Sequence, residues 1–218
     1  FFSFEGQEYI FRSLQNQSVL QLNSVFGNNM ANEFRLAYTQ VNDERDYQST
    51  PFPSVTISSL GDDRRSSLSF GVERFSQANA LDQNILEITD NFNYFMGNHI
   101  FTFGTTNQFV TFSNLYVQDA FGTYTFSGLD NFYNNRPNRY YYSYLKPGGK
   151  ERAEYSYVQL AFYAQDEWTI MPQFKLTLGL RGDVYAFPDE PTENKDFASV
   201  FGLSTKDMPS PFALSPRI

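Results

Sequence analysis

Three connections in this chain are very short, three are very long, and they alternate. Amphipathic stretches of about ten residues, the length of a membrane-spanning β-strand, pair up across residues 27–32, 97–99 and 169–173. Between the pairs lie residues 43–83, 113–154 and 186–213. In an up-and-down sheet this alternation gathers every long connection at one end. A soluble sheet has no reason to keep that asymmetry, whereas outer-membrane barrels combine short periplasmic turns with long extracellular loops.

The strands themselves carry two chemically different faces. Residues 17–26 put Leu20, Leu22 and Phe26 on one side and Gln21, Asn23 and Val25 on the other. Residues 33–41 set Phe34, Leu36 and Tyr38 against Glu33, Arg35, Ala37 and Thr39. The same period of two continues in 84–96, 99–112, 155–168 and 174–185. It is cleanest in the last, where Leu176, Leu178 and Leu180 alternate with Lys175, Thr177, Gly179, Arg181 and Asp183. An ordinary hydrophobic core does not accept unpaired charges in mid-strand, so the polar face is expected to line a lumen and the apolar face to meet lipid. Glu33, Arg35, Lys175, Arg181 and Asp183 are the expected lumen-facing charges. Asp90 and Asp166 break the rule by falling on the apolar parity; either a bulge resets the phase or both lie near the membrane interface.

Composition agrees. The chain holds 24 Phe and 15 Tyr at a mean hydropathy of -0.46, as expected of strands that alternate in polarity and end in aromatic girdles. No apolar run is long enough for a membrane helix. A formal net charge of -8 argues against nucleic acid, which needs a basic stripe. Without cysteine and with a single histidine, His99, a thiolate metal site, a Cys nucleophile and a His-pair zinc site are excluded. No catalytic constellation and no cofactor site emerges, so the chain reads as a non-enzyme. His99 itself sits at a short turn, where a solvated or capping role is expected. Asp189, Glu190, Glu193 and Asp196 could gather around calcium, although their spacing matches no regular calcium loop. Residues 62–65, Asp-Asp-Arg-Arg, are expected to form a solvated loop tip.

The stretch from Phe162 to Trp168, a turn containing Pro172, and then the run from Leu176 to Asp183 together resemble a barrel hairpin of TonB-dependent outer-membrane receptors. Asp90-Asn91-Phe92 followed by Gly97-Asn98-His99 and Phe103-Gly104 is similar to a second hairpin of the same proteins. With residues 71–83 and the terminal Ser215-Pro216-Arg217-Ile218, the pattern resembles their Oar-like branch, common in Bacteroidetes-type bacteria. The resemblance implies an all-β, antiparallel transmembrane barrel of 22 strands, of which about six full strands lie here. It places the protein in the outer membrane of a Gram-negative bacterium. Residues 1–218 are then a partial barrel domain, expected to lack signal peptide, plug and barrel C-terminus, with Phe1 an internal position of a longer chain. The partners implied are outer-membrane lipid, the receptor's own plug, the TonB–ExbB–ExbD system and an extracellular substrate, with no nucleic acid.

The connection 113–154 is the expected place for that substrate. Tyr124, Phe126, Arg136, Arg139, Tyr140, Tyr141, Tyr142 and Tyr144 interleave rings and arginines, which suits stacking on sugars or gripping a peptide. The same rings also serve simply to fold the loop, since a long loop must bury something to be ordered. Residues 194–202 are expected to form one short helix capped by Asn194 and ended by Gly202. Three functions stay open: active nutrient uptake, a passive porin or adhesive barrel, and a soluble β-sandwich that binds sugar.

Overall fold

The computed structural model describes residues 4, 6–61 and 63–218, with the side chains of residues 63 and 64 left aside. Asp62 of the expected loop tip lies outside the described residues. In chain order the elements are β1 (Tyr9–Phe26), β2 (Met30–Tyr47), β3 (Ser54–Leu60), β4 (Asp63–Phe70), β5 (Asn79–Met96), β6 (His99–Tyr116) and β7 (Thr123–Ser127). Then come α1 (Leu129–Tyr133), β8 (Arg139–Tyr141), β9 (Arg152–Met171), β10 (Phe174–Ala186), α2 (Lys195–Phe201) and β11 (Phe212–Arg217). Seven strands form one sheet in the order β1-β2-β5-β6-β9-β10-β11, and four form a second in the order β4-β3-β7-β8. The large sheet is open, with β1 and β11 at its edges.

The three hairpins expected from sequence are present, and their turns are tight. Gly97 takes a left-handed φ of 59°, the conformation that a two-residue hairpin turn demands and that a side chain resists. No neighbour lies within 4 Å of its missing Cβ, so backbone freedom rather than space selects glycine there. In the hairpin of β9 and β10 the register shifts between Phe174 and Lys175, a bulge beside the Pro172 turn.

Contacts divide the chain into two compact units. The first comprises Phe1–Gln15, Val41–Asp82 and Ser113–Glu154; the second comprises Asn16–Gln40, Gln83–Phe112 and Tyr155–Ile218. β1, β2, β5 and β6 are each 18 residues long, well beyond the roughly 9–11 residues that cross a bilayer. Of these, residues 16–26 of β1 and 30–40 of β2 belong to the second unit, which is the spanning length. The strands therefore outrun the stretches that sequence periodicity marks, and the excess belongs to the first unit.

In the second unit the two expected faces separate along β9 and β10 from Lys175 onward. β9 and β10 pair Thr177 with Glu167, Gly179 with Gln165 and Arg181 with Tyr163, alternating with Leu178 opposite Asp166 and Leu180 opposite Ala164. The apolar face leaves Leu20, Leu22, Phe103, Phe162, Leu178 and Leu180 exposed, more large apolar side chains than a water-facing sheet would sustain. Asp166 stays on this face, opposite Leu178 with no shift of register at that position, and Asp90 shares its parity with Leu86 and Ile88 on β5. Asp90 accepts a hydrogen bond from Asn32 Nδ2 at 2.7 Å. Asp166 meets His99 Nδ1 at 2.9 Å, and the His99 ring stacks with Trp168 at 5.3 Å and Phe101 at 5.5 Å. His99 is thus a partner inside an aromatic cluster rather than a turn cap.

On the polar face Gly104 serves a different purpose from Gly97. A Cβ there would overlap the Tyr163 ring, which lies across the glycine and donates its hydroxyl hydrogen to Asn91 Oδ1. We expect Gly104→Ala to cost about 1–3 kcal/mol, the usual penalty for overpacking. A denaturant titration of the protein refolded into detergent checks this, and Tyr163→Ala in the same background should recover part of the loss.

The first unit contains the second sheet, which periodicity did not reveal in the connections 43–83 and 113–154. β3 pairs antiparallel with β4 and parallel with β7, and β7 pairs antiparallel with β8. Val55, Ile57 and Phe126 are buried at its core, packed by Leu60, Leu68, Phe70, Tyr124 and Phe132. Elsewhere the short helix expected at 194–202 is present as α2: Asn194 Oδ1 accepts from the Phe197 amide at 3.0 Å, and Gly202 closes it with φ 65°. β11 supplies a seventh strand, beginning at Phe212.

Candidate functional site

Two surfaces carry the chemistry, one in each unit. The polar face of the second unit is hydrogen-bonded across strand after strand. Gln17 Nε2 donates to Thr39 Oγ1 at 3.1 Å, Thr102 Oγ1 to Asn93 Oδ1 at 2.8 Å and Gln108 Nε2 to Glu87 Oε2 at 2.9 Å. Lys175 Nζ reaches Glu167 at 2.5 Å.

The strongest cluster on this face centres on Asp183, which is buried. Arg181 grips it with Nε and Nη2 at 2.9 and 2.8 Å, and Gln159 Nε2 adds a third donor at 3.0 Å. The Arg181 guanidinium also lies 5.8 Å from the Tyr163 ring centroid. A buried carboxylate held by charge-assisted bonds is stable only while its partner remains, because an unpaired buried charge is costly. Glu33 and Arg35 occupy β2 on the parity of the buried Ala37 and Thr39. Arg35 Nε is shielded from solvent yet has no hydrogen-bond partner among the described residues.

In the first unit the expected substrate residues divide by role. Phe126 is buried and meets Phe132 edge-on at 5.2 Å, so packing takes it up and a ligand cannot reach it. Tyr124 packs against the same core and stacks on Tyr140 at 4.5 Å. Tyr141 pairs with Thr123 on β7 and lies under the Arg74 guanidinium at 5.3 Å. Arg136, Arg139, Tyr140, Tyr142 and Tyr144 remain exposed.

A partly buried ion pair, with Asp119 buried and Arg74 half-exposed, fixes this surface in place. Arg74 donates to both carboxylate oxygens of Asp119 at 3.0 and 2.8 Å, and Thr123 Oγ1 adds a bond at 2.5 Å. The Asp119 backbone oxygen accepts from the amides of Gly122 and Ser143, tying the segment before Tyr144 to the core of the unit. The Asp119 hydrogen bond holds the Arg74 guanidinium above its ordinary pKa, against the opposing pull of burial. The Tyr140 phenol is also raised, first by desolvation and then by the neighbouring Tyr124 phenol. Sequence reasoning missed Arg74 and Asp119, because the pair spans 45 positions and neither residue belongs to a periodic segment.

Acidic residues do not converge on a cation. Glu190 lies 3.6 Å from Lys206, Asp196 sits in the first turn of α2, and among the described residues no three metal-ligating side chains gather.

Comparison with protein families supplies what geometry alone leaves open. The model of a family described as "Outer membrane beta barrel domain" matches residues 3–211. The chain belongs to that family. No curated protein and no solved structure matches the chain. As an outer-membrane β-barrel domain, it is located in the outer membrane, and the soluble-sandwich reading falls away. The exposed leucines and phenylalanines of the second unit suit contact with lipid, and the hydrogen-bonded polar face is the opposite side of the same strands. Rings gather toward both ends of the spanning strands. Phe26, Phe95, Trp168 and Phe174 stand beside the short turns and stay exposed. Phe112 stacks with Tyr155 at 4.9 Å beside the long connections. That distribution suits the headgroup regions.

Proposed function

We propose that this barrel domain belongs to a TonB-dependent receptor of the Oar-like branch, which takes up a nutrient such as an oligosaccharide, a peptide or a chelated metal into the periplasm. The observation that carries the reading is the lumenal face. Arg181, Asp183, Lys175, Glu167, Glu33 and Arg35 stand on it, and the Arg35 Nε has no partner among the described residues. Such a surface requires either water or a polar protein surface opposite it. In the proposed receptor that surface is a plug, held by hydrogen bonds and ion pairs that the TonB–ExbB–ExbD system loosens when energised. The two hairpins that resemble those of TonB-dependent receptors add support.

The open edges of the large sheet bear on the same reading. Hydrocarbon tolerates no unpaired ladder groups, and β1 and β11 each have one neighbour. The receptor we propose therefore closes the barrel with further strands alongside both.

Uptake measured in cells carrying the complete protein tests the proposal. Accumulation of substrate is expected to stop when TonB is deleted or the proton gradient is collapsed. Accumulation that continues unchanged would instead identify a passive porin.

A further inference from the structure

We propose that the row Tyr140, Tyr142 and Tyr144, flanked by Arg136, Arg139 and Lys146, is a docking surface for an acidic oligosaccharide. The three rings recur at every second position, which brings them to one side of an extended chain. Their planes run nearly parallel: Tyr140 and Tyr142 are 6.3 Å apart at 9°, and Tyr142 and Tyr144 are 6.1 Å apart at 23°. The row is anchored at one end, where Tyr140 stacks on Tyr124 at 4.5 Å. From there it runs outward with 52%, 53% and 72% of each successive residue exposed. Scattered exposed rings are ordinary, but a continuous aligned row marks a surface that something covers.

Charge identifies the kind of occupant. Residues 131–150 contain Arg136, Arg139, Lys146 and Lys150 and no Asp or Glu, in a chain whose net charge is -8. Lys150 pairs with Glu154, whereas Arg136, Arg139 and Lys146 join no salt bridge among the described residues. The surface thus complements an anion, and the guanidinium fork suits a carboxylate. A sugar ring presents a C–H-bearing face that stacks on an aromatic and hydroxyls that bond to phenols and amides. An acidic peptide fits less well, because β8 spans only three residues and offers little edge for strand addition. Single-stranded nucleic acid would need a longer basic track.

This inference rests on the receptor reading above and names its substrate class. Binding to the complete protein purified in detergent requires no TonB, so a failure of the inference is distinguishable from a failure of the uptake mechanism. The probe is fluorescently labelled oligogalacturonate, followed by anisotropy, with a neutral malto-oligosaccharide, a single-stranded oligodeoxynucleotide and poly-glutamate as competitors. We expect oligogalacturonate to bind, to weaken as salt rises, and to be displaced poorly by all three competitors. Tyr142→Ala and Tyr144→Ala should each bind about tenfold more weakly, at the lower end of ring-stacking losses. Tyr142→Phe and Tyr144→Phe should stay close to the parent protein, because they retain the ring. Both positions are exposed, so an unchanged thermal melt confirms that the fold persists. Absence of binding, equal affinity in the alanine variants, or equal or stronger competition from any of the three competitors would overturn the proposal.

Discussion

Leu180→Arg is expected to destabilise the membrane-inserted barrel by about 2–4 kcal/mol if the site lies near the bilayer midplane. Leu180 pairs with Ala164 across β9 and β10 and shares the exposed apolar face with Phe162 and Leu178. Arginine at this position faces hydrocarbon, with Ala164 rather than a carboxylate directly opposite. Leu178 is a poorer probe, because it lies directly opposite Asp166, whose Oδ1 is unpartnered and would neutralise the new charge. Thr177→Arg is the matched control. It lies opposite Glu167 on the lumenal parity, so it should cost far less. Refolding titrations in liposomes compare the two, and equal destabilisation would mean that the lipid and lumenal faces have been exchanged.

How far the sequence reveals this architecture depends on which physical signal each element leaves. The membrane-spanning strands are legible because a face in contact with lipid and a face in contact with water impose period two on every residue. Arg181 and Asp183 are readable as polar-face residues for that reason alone. The strand extensions are not. Beyond the spanning stretch charged residues enter the even positions, as Arg12 bonding Asp46 and Arg152 bonding Asp82 show, and the apolar alternation is interrupted although the backbone stays extended. The helix α2 is short but announces itself through its caps, Asn194 and Gly202, which act locally.

The loop sheet leaves a weaker trace. β3 turns Val55, Ile57 and Leu60 toward the core and β7 only Tyr124 and Phe126, too few to distinguish a strand from a loop. Their pairing is parallel and joins residues about 69 positions apart, so no turn signal links them. For the same reason the division of the aromatic loop residues was hidden. Tyr124, Phe126, Tyr140 and Tyr142 are alike as residues, and only the tertiary contacts separate those that build the core from those left in solvent. The apolar-parity carboxylates tell a similar story. Asp166 resists explanation in sequence because its partner, His99, is 67 positions away.

Phe126→Ala is expected to unfold the loop sheet while leaving the spanning strands in place. Phe126 is only 4% exposed and forms the core of its unit with Val55 and Ile57, with Phe132 packed edge-on against it. Removing a buried phenylalanine typically costs about 3–5 kcal/mol, a large share of what so small an apolar cluster contributes. The spanning strands draw their stability from lipid burial and from the ladder of the large sheet, to which Phe126 makes no contribution. Limited trypsin digestion reads the difference, because Arg136, Arg139 and Lys146 are exposed on the segment that follows β7. The variant should be nicked at these sites much faster than the parent, while the turns at 27–29, 97–98 and 172–173 stay intact and the protein remains in the membrane fraction. If digestion is unchanged, the loop sheet is held by contacts other than this core. If the variant instead fails to insert, the two units do not fold independently.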